Sequence, residues 1–203
     1  MRLLTFLFVI VITTGTAAGE IIVVSPDGPL SIQDAIYSTE DGDIVELTDG
    51  IYTGDGNRDL DFFGRAITVR SQSDDPTSCI IDCEGSDAEN HRGFLFEHAE
   101  GLDSVVEGLT ITGGYHSWSG GMYCALGYPT IRNCRFVGNT GSEGGGLCVW
   151  GPAEIIGCWF EGNHATTNGG GASACCMFGP TATFTECTFV ANTAGMYGGA
   201  FRI

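Results

Sequence analysis

Three gapless segments in the C-terminal half carry one pattern, and it restricts the fold more than any other feature of the chain. They are Ile131-Arg-Asn-Cys134-Arg-Phe136-Val-Gly-Asn139, Ile155-Ile-Gly-Cys158-Trp-Phe160-Glu-Gly-Asn163 and Phe184-Thr-Glu-Cys187-Thr-Phe189-Val-Ala-Asn192. A fainter copy, Val106-Glu-Gly-Leu109-Thr-Ile111-Thr-Gly-Gly114, precedes them, and equivalent positions are separated by 25, 24 and 29 residues. A glycine-rich block follows each segment: Gly120-Gly-Met-Tyr-Cys124, Gly144-Gly-Gly-Leu-Cys148, Gly169-Gly-Gly-Ala-Ser173 and Gly198-Gly-Ala-Phe201. Self-similarity at such a period is the mark of a solenoid.

One repeat reads as a strand, a turn at Asn, a short loop, a glycine corner and a second short strand. Strands rise about 3.3 Å per residue and neighbours lie about 4.8 Å apart, so roughly two dozen residues close one turn and the next pairs in parallel above it. The expected fold is all-β, a single right-handed parallel β-helix with a short N-terminal capping helix. Cys134, Cys158 and Cys187 should stack on one another as small buried hydrophobes, and Phe136, Phe160 and Phe189 should do the same. Asn139, Asn163 and Asn192 fall where the chain turns, and Asn tolerates left-handed backbone there. Helical repeats lack support, because no window longer than ten residues shows a 3.6-residue period outside the N-terminal region.

The first 18 residues read as a secretory signal peptide. Arg2 precedes the apolar run Leu3–Ile12, and small residues lead to a cleavage point after Ala18. The run is too short to span a bilayer, which needs about 20 residues. The mature domain is then 19–203, exported to the outside or the cell surface. Its N-terminal part fits the start of the same solenoid. Ser31 N-caps a short amphipathic helix, Ser31-Ile-Gln-Asp-Ala-Ile-Tyr37, which would cover the open first coil.

The net charge of −17, with no lysine among the basic residues, excludes a phosphate-binding surface and so argues against nucleic acid. Residues 20–107 hold 21 of the 25 acidic residues. Nine cysteines leave at least one thiol without an intrachain partner, and Cys124 with Cys148 is the leading disulfide expectation. The four histidines lie singly in loops and read as solvated.

The stretch Ser31–Thr53, SIQDAI…DGDIVELTDGIYT, resembles the opening of pectate-lyase-like and pectinesterase-like β-helix proteins. Gly56–Ser71 with Cys79–Gly85 is similar to secreted β-helix repeat proteins. The FxxN motifs at Phe136–Asn139, Phe160–Asn163 and Phe189–Asn192, with the Gly-Gly-Ala-type corners, resemble the passengers of polymorphic membrane protein autotransporters. The first resemblance implies a pectin-lyase-type fold and carbohydrate chemistry; the second implies surface display and adhesion, although no outer-membrane barrel follows.

Chemistry is sparser than fold. Lyases of the first group hold calcium with acidic side chains and abstract a proton with Arg or Lys; lysine is absent here, and no arginine lies in a matching setting. Polygalacturonase-type carboxylate motifs are missing. Asp59 and Asp61 read as sharing one strand face, Asp82 and Glu84 another, and together they are the calcium candidates. Tyr115, Trp118 and Trp150 are the sugar-stacking candidates, with Tyr123 and Trp159 as further aromatics. The expected function is a non-catalytic, adhesin-like or glycan-binding module, with a calcium-assisted polysaccharide lyase as the alternative. The strand at Gly198–Ile203 carries no cap, so end-to-end self-association, or a longer chain, is expected.

Overall fold

Short apolar alternations, each closed by a corner, give strands of two to five residues and leave almost no helix. The computed structural model describes residues 19–175 and 181–203; the signal-peptide reading, residues 1–18, lies outside the described residues. Seven strands build the first sheet: Ile21–Val24, Ile44–Leu47, Thr68–Ser71, Val105–Glu107, Thr130–Arg132, Glu154–Ile156 and Thr183–Thr185. All are parallel and stack in chain order. The second sheet holds Gly50–Tyr52, Cys79–Asp82, Thr110–Thr112, Arg135–Val137, Trp159–Glu161 and Thr188–Val190. The third holds Leu60–Asp61, Phe94–Phe96, Met122–Cys124, Leu147–Val149, Ala172–Ala174 and Phe201–Arg202. A short fourth sheet adds Thr140–Glu143, His164–Asn168 and Thr193–Ala194. The molecule is therefore a parallel β-solenoid of seven coils. Among the described residues, no helix is long and apolar enough to cross a membrane.

In-register pairing makes each inward position a column of like side chains. In the first sheet the column is Ile22, Val45, Val69, Val106, Ile131, Ile155 and Phe184. In the second it is Tyr52, Ile81, Ile111, Phe136, Phe160 and Phe189. Phe136, Phe160 and Phe189 stack nearly parallel, with centroids 4.9 and 4.7 Å apart. Such ring pairs add about 0.5–1.5 kcal/mol each beyond the apolar area they bury. Outward positions of the first sheet alternate in charge instead: Glu46 pairs with Arg70 at 2.8 Å, and Glu107 with Arg132 at 2.7 Å.

Cys134, Cys158 and Cys187 lie over one another between the first and second sheets. Their neighbours on both sides are in register, Arg132 with Ile156 and Arg135 with Trp159, then Ile156 with Thr185 and Trp159 with Thr188. Each thiol points at backbone carbonyls: Cys134 Sγ lies 3.3 Å from the Arg132 oxygen and 3.6 Å from that of Val106. The disulfide expected between Cys124 and Cys148 is not formed; both are free thiols. The register explains why. Cys124 pairs with Val149 and faces the core, whereas Cys148 pairs with Tyr123 and faces out.

The asparagine positions also differ from expectation. Left-handed backbone falls on the preceding residue, Gly138 (φ 66°), Gly162 (φ 63°) or Ala191 (φ 53°). That turn aims the next side chain inward, and Asn139 and Asn163 are fully buried. The amides then form a ladder. Each Nδ2 donates to a carbonyl of the coil before it, Ile111, Phe136 or Phe160, at 2.9 Å. Each Oδ1 accepts the backbone N–H of Gly114, Asn139 or Asn163, again at 2.9 Å. Nearby, the glycine corner is dictated by space: a Cβ on Gly170 would lie 2.2 Å from the Thr193 carbonyl oxygen.

At the N-terminal end, Ser31 caps the helix Ile32–Tyr37 by accepting the Asp34 N–H, and Ile32, Ala35 and Ile36 are buried. Gln33 takes the place of a strand beside the third sheet's edge. Its Oε1 accepts the Asp61 N–H at 2.9 Å and its Nε2 donates to the Asp61 oxygen at 3.0 Å.

Asn163→Ala should lower unfolding free energy by about 3 kcal/mol, because it strands the Asn139 N–H and the Phe136 carbonyl in the core; urea denaturation reads this, and a change under about 0.5 kcal/mol would contradict the ladder's role. Alkylation of the native protein should leave Cys79, Cys83, Cys124, Cys134, Cys148 and Cys158 unmodified, since all six are buried. After denaturation without reductant, both Cys124 and Cys148 should label, read by peptide mass spectrometry; protection of that pair would restore the disulfide.

Candidate functional site

The loop between the second-sheet strand Thr110–Thr112 and the third-sheet strand Met122–Cys124 carries Tyr115, His116 and Trp118. On the outer face of the third sheet, Asp61, Leu95, Tyr123, Cys148, Ser173 and Arg202 form one row. Tyr123 and Cys148 in that row are buried although they face outward. What covers them is aromatic. Trp118 stacks on Tyr123 with centroids 6.0 Å apart and planes 6° from parallel. Trp150, one residue past the strand Leu147–Val149, meets Trp118 edge-on at 5.2 Å and Tyr123 at 5.4 Å. Trp118 keeps 42 % of its surface exposed.

Beneath the rings lies a charge. The Arg92 guanidinium sits 5.2 Å from the Tyr123 centroid, so cation, phenol and indole form one column. Arg92 is held from below by Asp59, whose Oδ1 accepts its backbone N–H at 2.9 Å and whose Oδ2 lies 2.7 Å from His91 Nδ1. Arg92 Nη2 lies 2.5 Å from the His116 ring nitrogens, while its Nη1 is sealed without a hydrogen-bond partner among the described residues. Burial, reinforced by the Arg92 charge, pushes His116 down from 6.5 to about 4. The imidazole is thus neutral near pH 7 and accepts from the guanidinium. Burial also lowers the Arg92 pKa and pushes the Tyr123 phenol up to about 12.

Of the three stacking candidates, Trp118 and Trp150 come together and Tyr115 stands apart. Tyr115 pairs with His91 through the backbone and donates its hydroxyl to Asp87 at 3.1 Å. With His116, Ser117, Thr140, Ser142 and Thr166 it lines a cavity of about 110 Å³ beside the platform. Trp159 lies elsewhere, on the second sheet, bordering a groove of about 290 Å³ with Arg135 and Asn133. Arg92 is the part that the sequence did not place here, and Tyr123 stood only among its further aromatics. The signal for Tyr123 was its place two residues after the glycine corner, on a strand otherwise apolar; nothing in the sequence marked Arg92 as buried.

The calcium candidates do not converge. Asp59 serves His91 and the Arg92 N–H, and Asp61 accepts the Phe63 N–H at 2.7 Å. Asp82 accepts the Glu84 N–H, and Glu84 binds the Gly54 N–H and Arg58. Asp59 also has left-handed backbone (φ 53°), so it does not share a regular strand face with Asp61. Asp61 alone joins a metal-competent set, with His98 and Glu100. The spacing His98-x-Glu100 after a strand was the available clue, but its partnership with Asp61 depends on coil stacking.

No protein-family model, curated protein or solved structure matches the chain. What the fold and site define is therefore a class, the parallel β-solenoids, with an aromatic platform on one outer face.

His116 gives the platform a pH dependence. Its folded pKa lies below its unfolded one, so between about 6.5 and 4 the unfolded chain binds the extra proton. Stability it supplies above that window is lost as pH falls through it. Wild-type melting temperature should drop from pH 6.5 to 4 more steeply than that of His116→Asn, measured by calorimetry; equal slopes would contradict the buried neutral imidazole.

Proposed function

We propose that this protein is a non-catalytic glycan-binding module, adhesin-like and displayed outside the cell, that engages sugar rings on the Trp118 platform. The observation that carries the reading is the column Arg92–Tyr123–Trp118 braced by Trp150: a rigid indole with one face packed and a large part of its surface exposed. A pyranose presents an apolar C–H face that packs on such a ring, while its hydroxyls need polar groups at the side. The Tyr115–Ser117 loop, with Thr140, Ser142 and Thr166, supplies them. A fixed aromatic surface gives contact area at small conformational cost, as in other protein binding faces.

The chain's strong negative charge favours neutral glycans over polyuronates. Arg92, the arginine whose pKa burial lowers, is covered by Tyr123, which supports a bracing role over proton abstraction. Export through a cleaved signal peptide is part of the same proposal and accords with the N-terminal sequence.

Affinity electrophoresis through gels containing neutral polysaccharides should show retardation that Trp118→Ala weakens by about tenfold, the equivalent of losing one aromatic stacking contact of roughly 1.5 kcal/mol. Trp159→Ala should leave it unchanged. Retardation lost with Trp159→Ala alone would move the site to the second sheet. Calcium-dependent release of an ultraviolet-absorbing unsaturated product from a polyuronate would replace the binding module with a lyase.

A further inference from the structure

Away from the aromatic platform, three side chains with metal-ligand chemistry meet at the turn after the third-sheet strand Phe94–Phe96. Asp61 closes the edge strand Leu60–Asp61, one coil earlier; His98 and Glu100 lie in the turn itself. One donor atom from each of the three lies within 4.8 Å of the other two. Asp61 is 8 % exposed and Glu100 1 %, whereas His98 stands at the surface.

The charge balance is unusual. Two carboxylates are buried side by side, and among the described residues no arginine forms an ion pair with either. The ionic contact present is His98 Nδ1 with Asp61 Oδ2, at 3.2 Å. Placing like charges together out of water is costly unless a cation sits with them. Both carboxylates are nevertheless pinned. Glu100 Oε1 accepts the Gly64 N–H at 2.9 Å, and Oε2 accepts the His98 N–H at 3.0 Å. These bonds use one lone-pair site per oxygen and leave others open. The His98 ring packs on Phe63, with centroids 5.6 Å apart, and Phe63 stacks on Tyr37 at 5.4 Å.

We propose that Asp61, His98 and Glu100 form a binding site for a divalent transition cation of the zinc class. An imidazole nitrogen beside two carboxylates suits zinc or manganese; calcium takes six to eight oxygens. Bonds of about 2.0–2.2 Å place donor atoms roughly 3.3–3.6 Å apart, and the His98–Asp61 pair, at 3.2 Å, stands just short of that spacing. Glu100 holds its donor atom within 4.8 Å of the other two. With one imidazole and two carboxylates as ligands, a fourth position is left for water or an outside donor. Because Asp61 is also bracketed by Gln33 of the capping helix, the ion would tie that cap to the coil carrying His98.

The test uses the whole chain, stripped with chelator, then titrated with zinc by calorimetry and with cobalt by visible absorption. One zinc per chain, held at least roughly tenfold tighter than calcium and raising the melting temperature, is expected. His98→Gln, at an exposed position, should keep the fold and weaken zinc by roughly tenfold or more, and Glu100→Gln should do likewise. Asp59→Asn should leave zinc affinity unchanged. Absence of saturable zinc binding by the folded wild type would overturn the proposal. So would binding that His98→Gln leaves intact, whatever the folding of Glu100→Gln.

Discussion

The fold depends on coils that repeat in register, and the asparagine ladder is the interaction that holds that register at the corner. A single buried amide satisfies a carbonyl of one coil and an N–H group of the same neighbouring turn, so a slip by one residue would strand both. Beside it the Phe136–Phe160–Phe189 stack fills the interior at the same spacing. Polar and apolar columns thus enforce one alignment, the first by directional hydrogen bonds and the second by shape. Parallel strands with no hairpins need such devices, because the connecting corners alone do not fix register.

Site geometry follows from the same register. Alternation along each strand puts Met122 and Cys124 in the core and Tyr123 on the outside. Trp118 arrives from the preceding loop and Trp150 from the following coil, so three rings separated by up to 32 positions meet on one face. Arg92 beneath them comes from the coil before. The outward row of that sheet also carries Asp61, which brings the platform and the metal-ligand set onto one strip of surface.

What was legible in the sequence was whatever repeats or acts locally. The Cys-x-Phe-x-x-Asn spacing announced the stack, and Ser31 ahead of a short amphipathic run announced the cap. What was not legible depended on a one-residue offset or on pairing across coils. Asn139 and its equivalents were expected to adopt left-handed backbone; Gly138, Gly162 and Ala191 do so instead, freeing the amides to point inward. Cys124 and Cys148 both close glycine blocks, yet Cys124 stands three residues after its last glycine and Cys148 two, so the two face opposite sides. Tyr115, Trp118 and Trp150 stand as one candidate set in the sequence, and coil stacking then joins the two indoles while Tyr115 pairs with His91 and Asp87. His98, Glu100 and Asp61 converge through stacking that spacing cannot reveal.

Amide hydrogen exchange followed by nuclear magnetic resonance tests the central claim most directly. If the ladder locks the coils, the backbone N–H groups of Gly114, Asn139 and Asn163, each bonded to an asparagine Oδ1, should exchange only through global unfolding. Exchange of these three protons at rates typical of exposed loop amides would show that the coils are not held this way.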